Sequence, residues 1–361
     1  MLRSRAVGVV EKSLRIAQIA PLFESVPPQL YGGTERVVSY LTEALVRQGH
    51  QVTLFASGDS RTTAELVPVC DRAIRLDTRH PDPGALHLLM LEKVFQSASS
   101  FDVIHCHLDS GAHLPLARRS RVPVITTLHG RLDVAGLDSL YAEFSDMPLV
   151  SISDSQRRPL PHAGWAATIH HGLPTALHRP SFTPGNYLAF LGRVSPEKGL
   201  EHAISIAQRA NMPLKIAAKV DRADEHYFRT HIEPLLGERG VEFVGEINDA
   251  NKGSFLGGAA ALLFPIKWPE PFGLAMIEAM ACGTPVIAFR CGSVPEVVDE
   301  GVTGFIVENE DQAVECVERV KQLDRQACRS RFEDRFSDER QAREYVNLFM
   351  RYGGARCQLR A

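Results

Sequence analysis

Short apolar segments rich in β-branched residues alternate along the chain with longer segments in which apolar residues recur at helical spacing. The first pattern predicts buried strands and the second predicts amphipathic helices. Strands that alternate with helices form parallel sheets covered on both faces, so the pattern predicts a doubly wound α/β fold. In the first half, a helix is predicted from about Thr34 to a stop at Gly49, and strands are predicted at 14–21, 51–57, 102–107, 123–130, 148–154 and 167–172.

The segment 173–185 is rich in proline and lacks a regular apolar period, which is typical of a linker. After it, helices are predicted at 199–210 and 272–281, and strands at 187–193, 213–218, 241–247, 260–266, 285–290 and 303–307. The last helix is predicted at 338–353, with Ser337 as its N-cap and Gly353 as its stop. The sequence thus predicts two doubly wound domains, at 14–172 and 186–336.

The length agrees with two domains and a cleft between them, because one hydrophobic core stops growing at about 250 residues and this chain has 361. A composition of 44% hydrophobic and 23% charged residues, with a formal net charge of −3, indicates a globular protein without overall attraction for nucleic acid or a bilayer. The seven cysteines include no C-x-x-C pair, and the apolar stretch at 6–10 is too short for a signal peptide. We therefore expect a cytoplasmic protein.

The segment 270–288 carries two glutamates at a spacing that suits a ligand site. Pro271 biases Glu270 toward an extended conformation before the predicted helix, and Glu278 falls about two turns inside that helix. We expect both carboxylates to face one pocket, beside a helix N-terminus whose unpaired N–H groups suit an anionic or hydroxyl-rich ligand. Taken alone, Glu278 also fits a solvated helix face.

A second candidate lies at 192–199, directly after the first strand of the predicted second domain. It would place Arg193 and Lys198 at the carboxyl edge of the sheet, where ligands bind in doubly wound folds. We expect the two cations to face a diphosphate from an exposed loop that contributes little to folding. An ordinary basic turn is the alternative.

The loop before the first helix contains Gly32 and Gly33, which allow close approach of the backbone to a phosphate or an acceptor. It lacks the third glycine of a dinucleotide fingerprint. His129 ends a predicted strand at the cleft edge. His105 and His107 share one face of another strand, a spacing that suits either zinc or hydrogen-bonded strand-end histidines.

Together these segments resemble family 4 of the retaining GT-B glycosyltransferases. The stretch from Glu270 to Glu278 resembles the family's E-x7-E signature, and 192–199 resembles its G-R-x4-K-G loop. The resemblance implies two Rossmann-like domains facing across a cleft, with the C-terminal helix returning to the first domain. It also implies metal-independent transfer of a hexosyl unit from a nucleotide-sugar to an acceptor hydroxyl, with retention and without a cofactor.

The resemblance further implies roles for individual residues. Glu278 would hold the nucleotide ribose, and His129 would lie near the 6-hydroxyl of the donor sugar. The expected catalytic residues are Arg193, Lys198, Glu270 and His129. The expected donor-binding residues are Glu278, Gly33, Gly192, Phe272, Gly273, Leu274, Gly245 and Ile247. No metal is expected, because the chain contains no D-x-D pair to hold one on the diphosphate.

Two alternatives stay open from the sequence: a nucleotide-sugar epimerase of the same fold, and a binding protein without turnover. The sugar, the base and the acceptor are not identified, because the resemblance implies that backbone groups contact the sugar and the base, and because variable loops of the first domain select the acceptor. Basic clusters at 118–121 and at 157–158 could contact an anionic acceptor or a membrane surface, or they could simply be solvated on the surface. Peripheral contact with the inner membrane face therefore also stays open.

Overall fold

A computed structural model describes residues 13–29, 31–79, 81–237 and 240–357. The apolar stretch at 6–10 lies outside these residues. The strands are β1 (Arg15–Ile19), β2 (Gln51–Ala56), β3 (Glu65–Pro68), β4 (Val103–Cys106), β5 (Val124–Thr127), β6 (Leu149–Ser151), β7 (Trp165–Thr168), β8 (Leu188–Arg193), β9 (Leu214–Lys219), β10 (Val241–Gly245), β11 (Ala261–Phe264), β12 (Val286–Phe289) and β13 (Gly304–Val307).

The α-helices are α1 (Gly33–Arg47), α2 (Pro83–Gln96), α3 (Leu114–Arg119), α4 (Leu137–Glu143), α5 (Asp154–Arg157), α6 (Leu200–Arg209), α7 (Glu225–Tyr227), α8 (Asp249–Gly257), α9 (Leu274–Ala281), α10 (Val294–Val297), α11 (Glu310–Arg319), α12 (Arg325–Phe336) and α13 (Asp338–Cys357). Within the described residues, no helix combines the length and the apolar character that crossing a bilayer requires.

The described strands form two parallel sheets, in the orders β3-β2-β1-β4-β5-β6-β7 and β10-β9-β8-β11-β12-β13. Both orders reverse direction at the first strand of the sheet, because β1 pairs with β2 and β4, and β8 pairs with β9 and β11. Loops leave such a reversal in opposite directions and open a crevice at the carboxyl ends of the strands. The predicted GT-B fold is confirmed, and it fixes where a ligand site can form.

Each predicted strand overlaps a described strand, but one is displaced and one described strand was not predicted. The strand predicted at 167–172 lies earlier, at Trp165–Thr168, because His170 and His171 leave the sheet and pack their rings against Phe272. Strand β3 was not predicted. It is a short edge strand whose side chains are partly or fully exposed, so it carries no buried apolar pattern.

The last helix returns to the first sheet, as expected. Tyr345 and Phe349 of α13 are buried in the same apolar core as Ile16 of β1 and Leu45 of α1. Gly353 does not stop the helix, which runs on to Cys357. A glycine stop needs a left-handed backbone, and Gly353 keeps a helical one.

Candidate functional site

A cavity of about 860 Å³ lies between the carboxyl ends of the two sheets. Among the residues that sequence analysis singled out, its lining includes Gly33, His129, Gly192, Arg193, Lys198, Ile247, Glu270, Phe272, Gly273, Leu274 and Glu278. Of the expected catalytic and donor-binding residues, only Gly245 does not line the cavity. Its positive φ of 76° turns the chain at the end of β10, and the residues that reach the cavity are Glu246 and Ile247.

Two helix N-termini meet at this cavity. Helix α1 begins after Gly32 and helix α9 begins after Gly273, and neither start is capped by a side-chain hydrogen bond. A Cβ atom on Gly33 would lie 3.8 Å from Leu274 Cδ1, so the two starts lie near each other. Uncapped N–H groups and the helix dipoles favour negative charge, so this point suits an anion.

The loop that carries Glu270 is held by the turn after β12. Ser293 N–H donates to the carbonyl oxygen of Glu270 (3.1 Å), and Ser293 Oγ donates to that of Phe272 (2.7 Å). A Cβ atom on Gly292 would lie 2.4 Å from Glu270 N, so only glycine allows this close contact. The turn thereby fixes Glu270 directly before α9.

Lys198 is paired with Glu270. Its Nζ lies 2.5 Å from Glu270 Oε2, and the two side chains are only 15% and 14% exposed. The expectation of an exposed loop is therefore wrong. The turn Pro196–Lys198 packs against the end of β11. Gly199, the next residue, approaches Pro265 so closely that a Cβ atom on it would lie 2.2 Å from the carbonyl oxygen of Pro265.

Arg193 ends strand β8 and lies among three carboxylates. Its Nη2 donates to Glu197 Oε1 (3.0 Å), and its guanidinium lies 3.8 Å from both Asp221 and Asp224. These carboxylates offset the positive charge that the sequence predicted here. Lys219 adds a further cation to the cavity wall and pairs with Asp221 at 2.8 Å.

Glu278 lies about one turn inside α9, because the helix begins at Leu274 and not at residue 272. Its side chain is only 4% exposed, so the solvated-face interpretation is wrong. Lys252 Nζ donates to Glu278 Oε1 at 2.7 Å. Burial acts to raise the pKa of Glu278, but Lys252 and Arg36 outweigh it and hold the pKa below its ordinary value. The carboxylate is therefore ionised at neutral pH.

The histidines form a hydrogen-bonded row beside this site. His129 Nε2 lies 2.9 Å from His107 Nδ1, and His107 Nε2 lies 2.8 Å from Gln18 Oε1. His105 Nε2 lies 2.7 Å from Thr127 Oγ1. Burial lowers the pKa of His129 to about 3, so its ring is neutral at pH 7. Among the described side chains, no group of three or more His, Cys, Asp or Glu is arranged to hold a metal ion.

Two family models match the chain. The model described as Glycosyltransferase Family 4 matches residues 31–160, and the model described as Glycosyl transferases group 1 matches residues 178–337. The chain belongs to glycosyltransferase family 4. The matched residues of this chain include the loops that line the cavity on both sides.

Known relatives of the glycosyltransferase agree with this assignment. The glycogen synthase of Mycobacterium tuberculosis (strain CDC 1551 / Oshkosh) is 27% identical over 332 residues, which cover 77% of this chain and 79% of that protein. Sucrose-phosphate synthase from Thermosynechococcus elongatus has the same fold, with a TM-score of 0.78, 21% identity and coverage of 95% of this chain and 100% of that one. HepE of Anabaena, solved in complex with UDP-glucose, has a TM-score of 0.69 and 17% identity, and the coverage is 92% of this chain and 98% of that one.

Several residues that line the cavity were not predicted from the sequence. Lys252 and Lys219 look like ordinary surface lysines in the sequence, because their carboxylate partners are not predictable from local pattern. Trp268 also lines the cavity, with Lys198 Nζ 5.4 Å from its ring centre. Its place two residues before Glu270 was the only signal that could have indicated it.

Proposed function

We propose that the protein transfers a hexosyl unit from a nucleotide-sugar to a hydroxyl group of an acceptor, with retention of the anomeric configuration and without a metal ion. The observation that carries this proposal is the convergence of two uncapped helix N-termini, Lys198 and the buried carboxylate of Glu278 on one cavity. The acceptor is a glycan, a lipid or a small molecule.

In the proposed complex, Glu278 accepts hydrogen bonds from the ribose hydroxyls, and the base lies beside Ile247. The diphosphate lies at the starts of α1 and α9, near Lys198 and Arg193. Glu270 and His129 face the sugar. The complex of HepE with UDP-glucose supports a nucleotide-sugar as ligand, because that protein has the same fold.

The proposed reaction is a front-face substitution. The acceptor oxygen forms a bond to the anomeric carbon on the side from which the nucleotide leaves, and the bond from that carbon to the phosphate oxygen breaks. The acceptor proton passes to the leaving phosphate oxygen, so no protein base is required. Lys198 and Arg193 stabilise the charge that grows on the phosphate, a contribution of about 3–4 kcal/mol per contact in preorganised sites. They take the place of a metal ion.

A panel of nucleotide-sugars tests the donor first. The matching donor raises the melting temperature, since a ligand present at about 100 Kd adds about 2.7 kcal/mol of stability. Transfer is then measured with hydroxyl acceptors, and NMR of the product gives the configuration of the new linkage. An inverted product refutes retention. Epimerisation of the donor without acceptor indicates the epimerase, and binding without any turnover indicates the binding protein.

A further inference from the structure

Four side chains of alternating charge connect the two halves of the molecule at the back of the cavity. Arg36 of α1 donates to Asp249 of α8, Lys252 Nζ lies 3.2 Å from Asp249 Oδ1, and the same Nζ lies 2.7 Å from Glu278 Oε1. We call these four residues the charge row. It begins on a helix that packs on the first sheet and ends on the carboxylate proposed to bind the ribose.

Three of the four side chains of the charge row are largely buried, and Asp249 is 29% exposed. The side chains of Arg36, Lys252 and Glu278 are 5%, 12% and 4% exposed. Tyr40 lies one turn beyond Arg36 and is buried in the apolar core that also contains residues of α9. In such surroundings charges interact far more strongly than in water, so each member depends on its neighbours.

We propose that Lys252 and, through Asp249, Arg36 are positioning residues for the donor: they hold the carboxylate of Glu278 in place and oriented toward the ribose. Arg36 thereby makes nucleotide binding depend on contact between the two halves of the molecule. This inference rests on the proposed function, in which Glu278 binds the ribose.

The charges around Glu278 predict the direction in which nucleotide binding should change with pH. Burial alone raises the pKa of Glu278, while Lys252 and Arg36 lower it. His178 also faces Glu278, but burial lowers the pKa of His178, so it is neutral near pH 7. Without Lys252, the pKa of Glu278 rises and the carboxyl takes up a proton as the pH falls. A protonated carboxyl loses acceptor capacity for the ribose hydroxyls.

The test is calorimetric titration with UDP, GDP and ADP at about pH 8 and about pH 6, because a carboxyl whose pKa is raised is more protonated at the lower pH. Lys252→Met should lower the affinity for the nucleotide that binds wild type by about tenfold or more. The ratio of wild-type affinity to variant affinity should be larger at the lower pH. Lys252→Arg should restore most of the affinity and the wild-type pH profile. Arg36→Met should weaken binding in the same direction.

Lys215→Met is the control, because Lys215 pairs with Glu242 at 3.1 Å near the amino ends of strands β9 and β10, and neither residue lines the cavity. It should leave nucleotide affinity unchanged at both pH values. Circular dichroism checks folding. If Lys252→Met does not fold, Arg36→Met provides the same test, since its partner Asp249 is 29% exposed and can be solvated.

The outcomes separate this inference from the proposed function. If wild type binds none of the three nucleotides, the proposed donor is wrong. If wild type binds and the variants bind equally well at both pH values, the positioning role is refuted while the proposed function stands. Weaker binding without pH dependence and without rescue by arginine also refutes it, because a merely structural lysine would behave in that way.

Discussion

Removing Lys198 tests whether the cation beside Glu270 stabilises the leaving group. Lys198 is the cavity cation whose Nζ lies closest to a candidate sugar-binding carboxylate, at 2.5 Å. Loss of one preorganised donor that acts on developing charge lowers kcat by about 10²–10³, or roughly 3–4 kcal/mol. We expect Lys198→Ala to reduce kcat by this factor while KM changes little, because the contact strengthens mainly in the transition state.

The same substitution should also cost stability, contrary to the expectation from the sequence. Glu270 is 14% exposed, and without Lys198 its carboxylate loses a charged partner in a largely desolvated place. A cost of about 1–3 kcal/mol in the free energy of unfolding is typical of such a loss. Glu270→Gln in the Lys198→Ala background should recover most of this stability, because a neutral amide needs no cation.

The two effects are separated by measuring kcat, KM and urea unfolding on wild type, both single variants and the double variant. Stability should recover in the double variant, whereas kcat should not. If Lys198→Ala folds and retains wild-type kcat, the leaving group is stabilised elsewhere and the proposed role of this loop is wrong. If kcat recovers together with stability, the loss reflected folding and not chemistry.

Three further predictions concern metal, ribose and pH. Transfer should continue in EDTA, and a loss that only Mg²⁺ or Mn²⁺ restores would contradict the role of Arg193 and Lys198. Glu278→Ala should weaken binding of the nucleoside diphosphate by about 1.5–3 kcal/mol for each charge-assisted hydrogen bond lost. Unchanged affinity in calorimetry would show that Glu278 does not bind the ribose. Burial lowers the pKa of His113 to about 4, so the unfolded chain binds more protons between that pH and about 6.5. The free energy of unfolding should therefore decrease as the pH is lowered from about 6.5 to about 4, by up to about 1.4 kcal/mol per pH unit for this group, and His113→Gln should flatten the slope measured by urea unfolding.

The sequence predicted the sheets well because their strands are buried on both faces and carry continuous apolar runs. Strand β3 was missed because an exposed edge strand lacks that signal. The end of the last helix was misplaced because Gly353 was treated as a stop, although a glycine is tolerated inside a helix at a cost of about 1 kcal/mol. Local pattern therefore failed where exposure or tertiary contacts decided the outcome.

The candidate site was predictable where its residues share one local segment. Glu270 and Glu278 were found because a single loop and helix present both to the cavity. Lys252 was not found, because its partner Glu278 is 26 residues away and on another helix. The surroundings of Arg193 were also missed, since Asp221 and Asp224 come from the segment after β9. Neither ion pair has a signature at helical or strand spacing.

These distant carboxylates change how the cavity should be understood. Each lysine or arginine in the described cavity lining is paired with a carboxylate, and the cations are Arg36, Arg75, Arg131, Arg193, Lys198, Lys219 and Lys252. The pairs hold the cations in place before a ligand arrives, which is what preorganised stabilisation of a transition state requires. They would also compete with the proposed diphosphate for these cations. Cations that bind the ground state and the transition state equally well do not raise kcat. We therefore expect the competing carboxylates to favour turnover, because they limit the affinity for the nucleotide product.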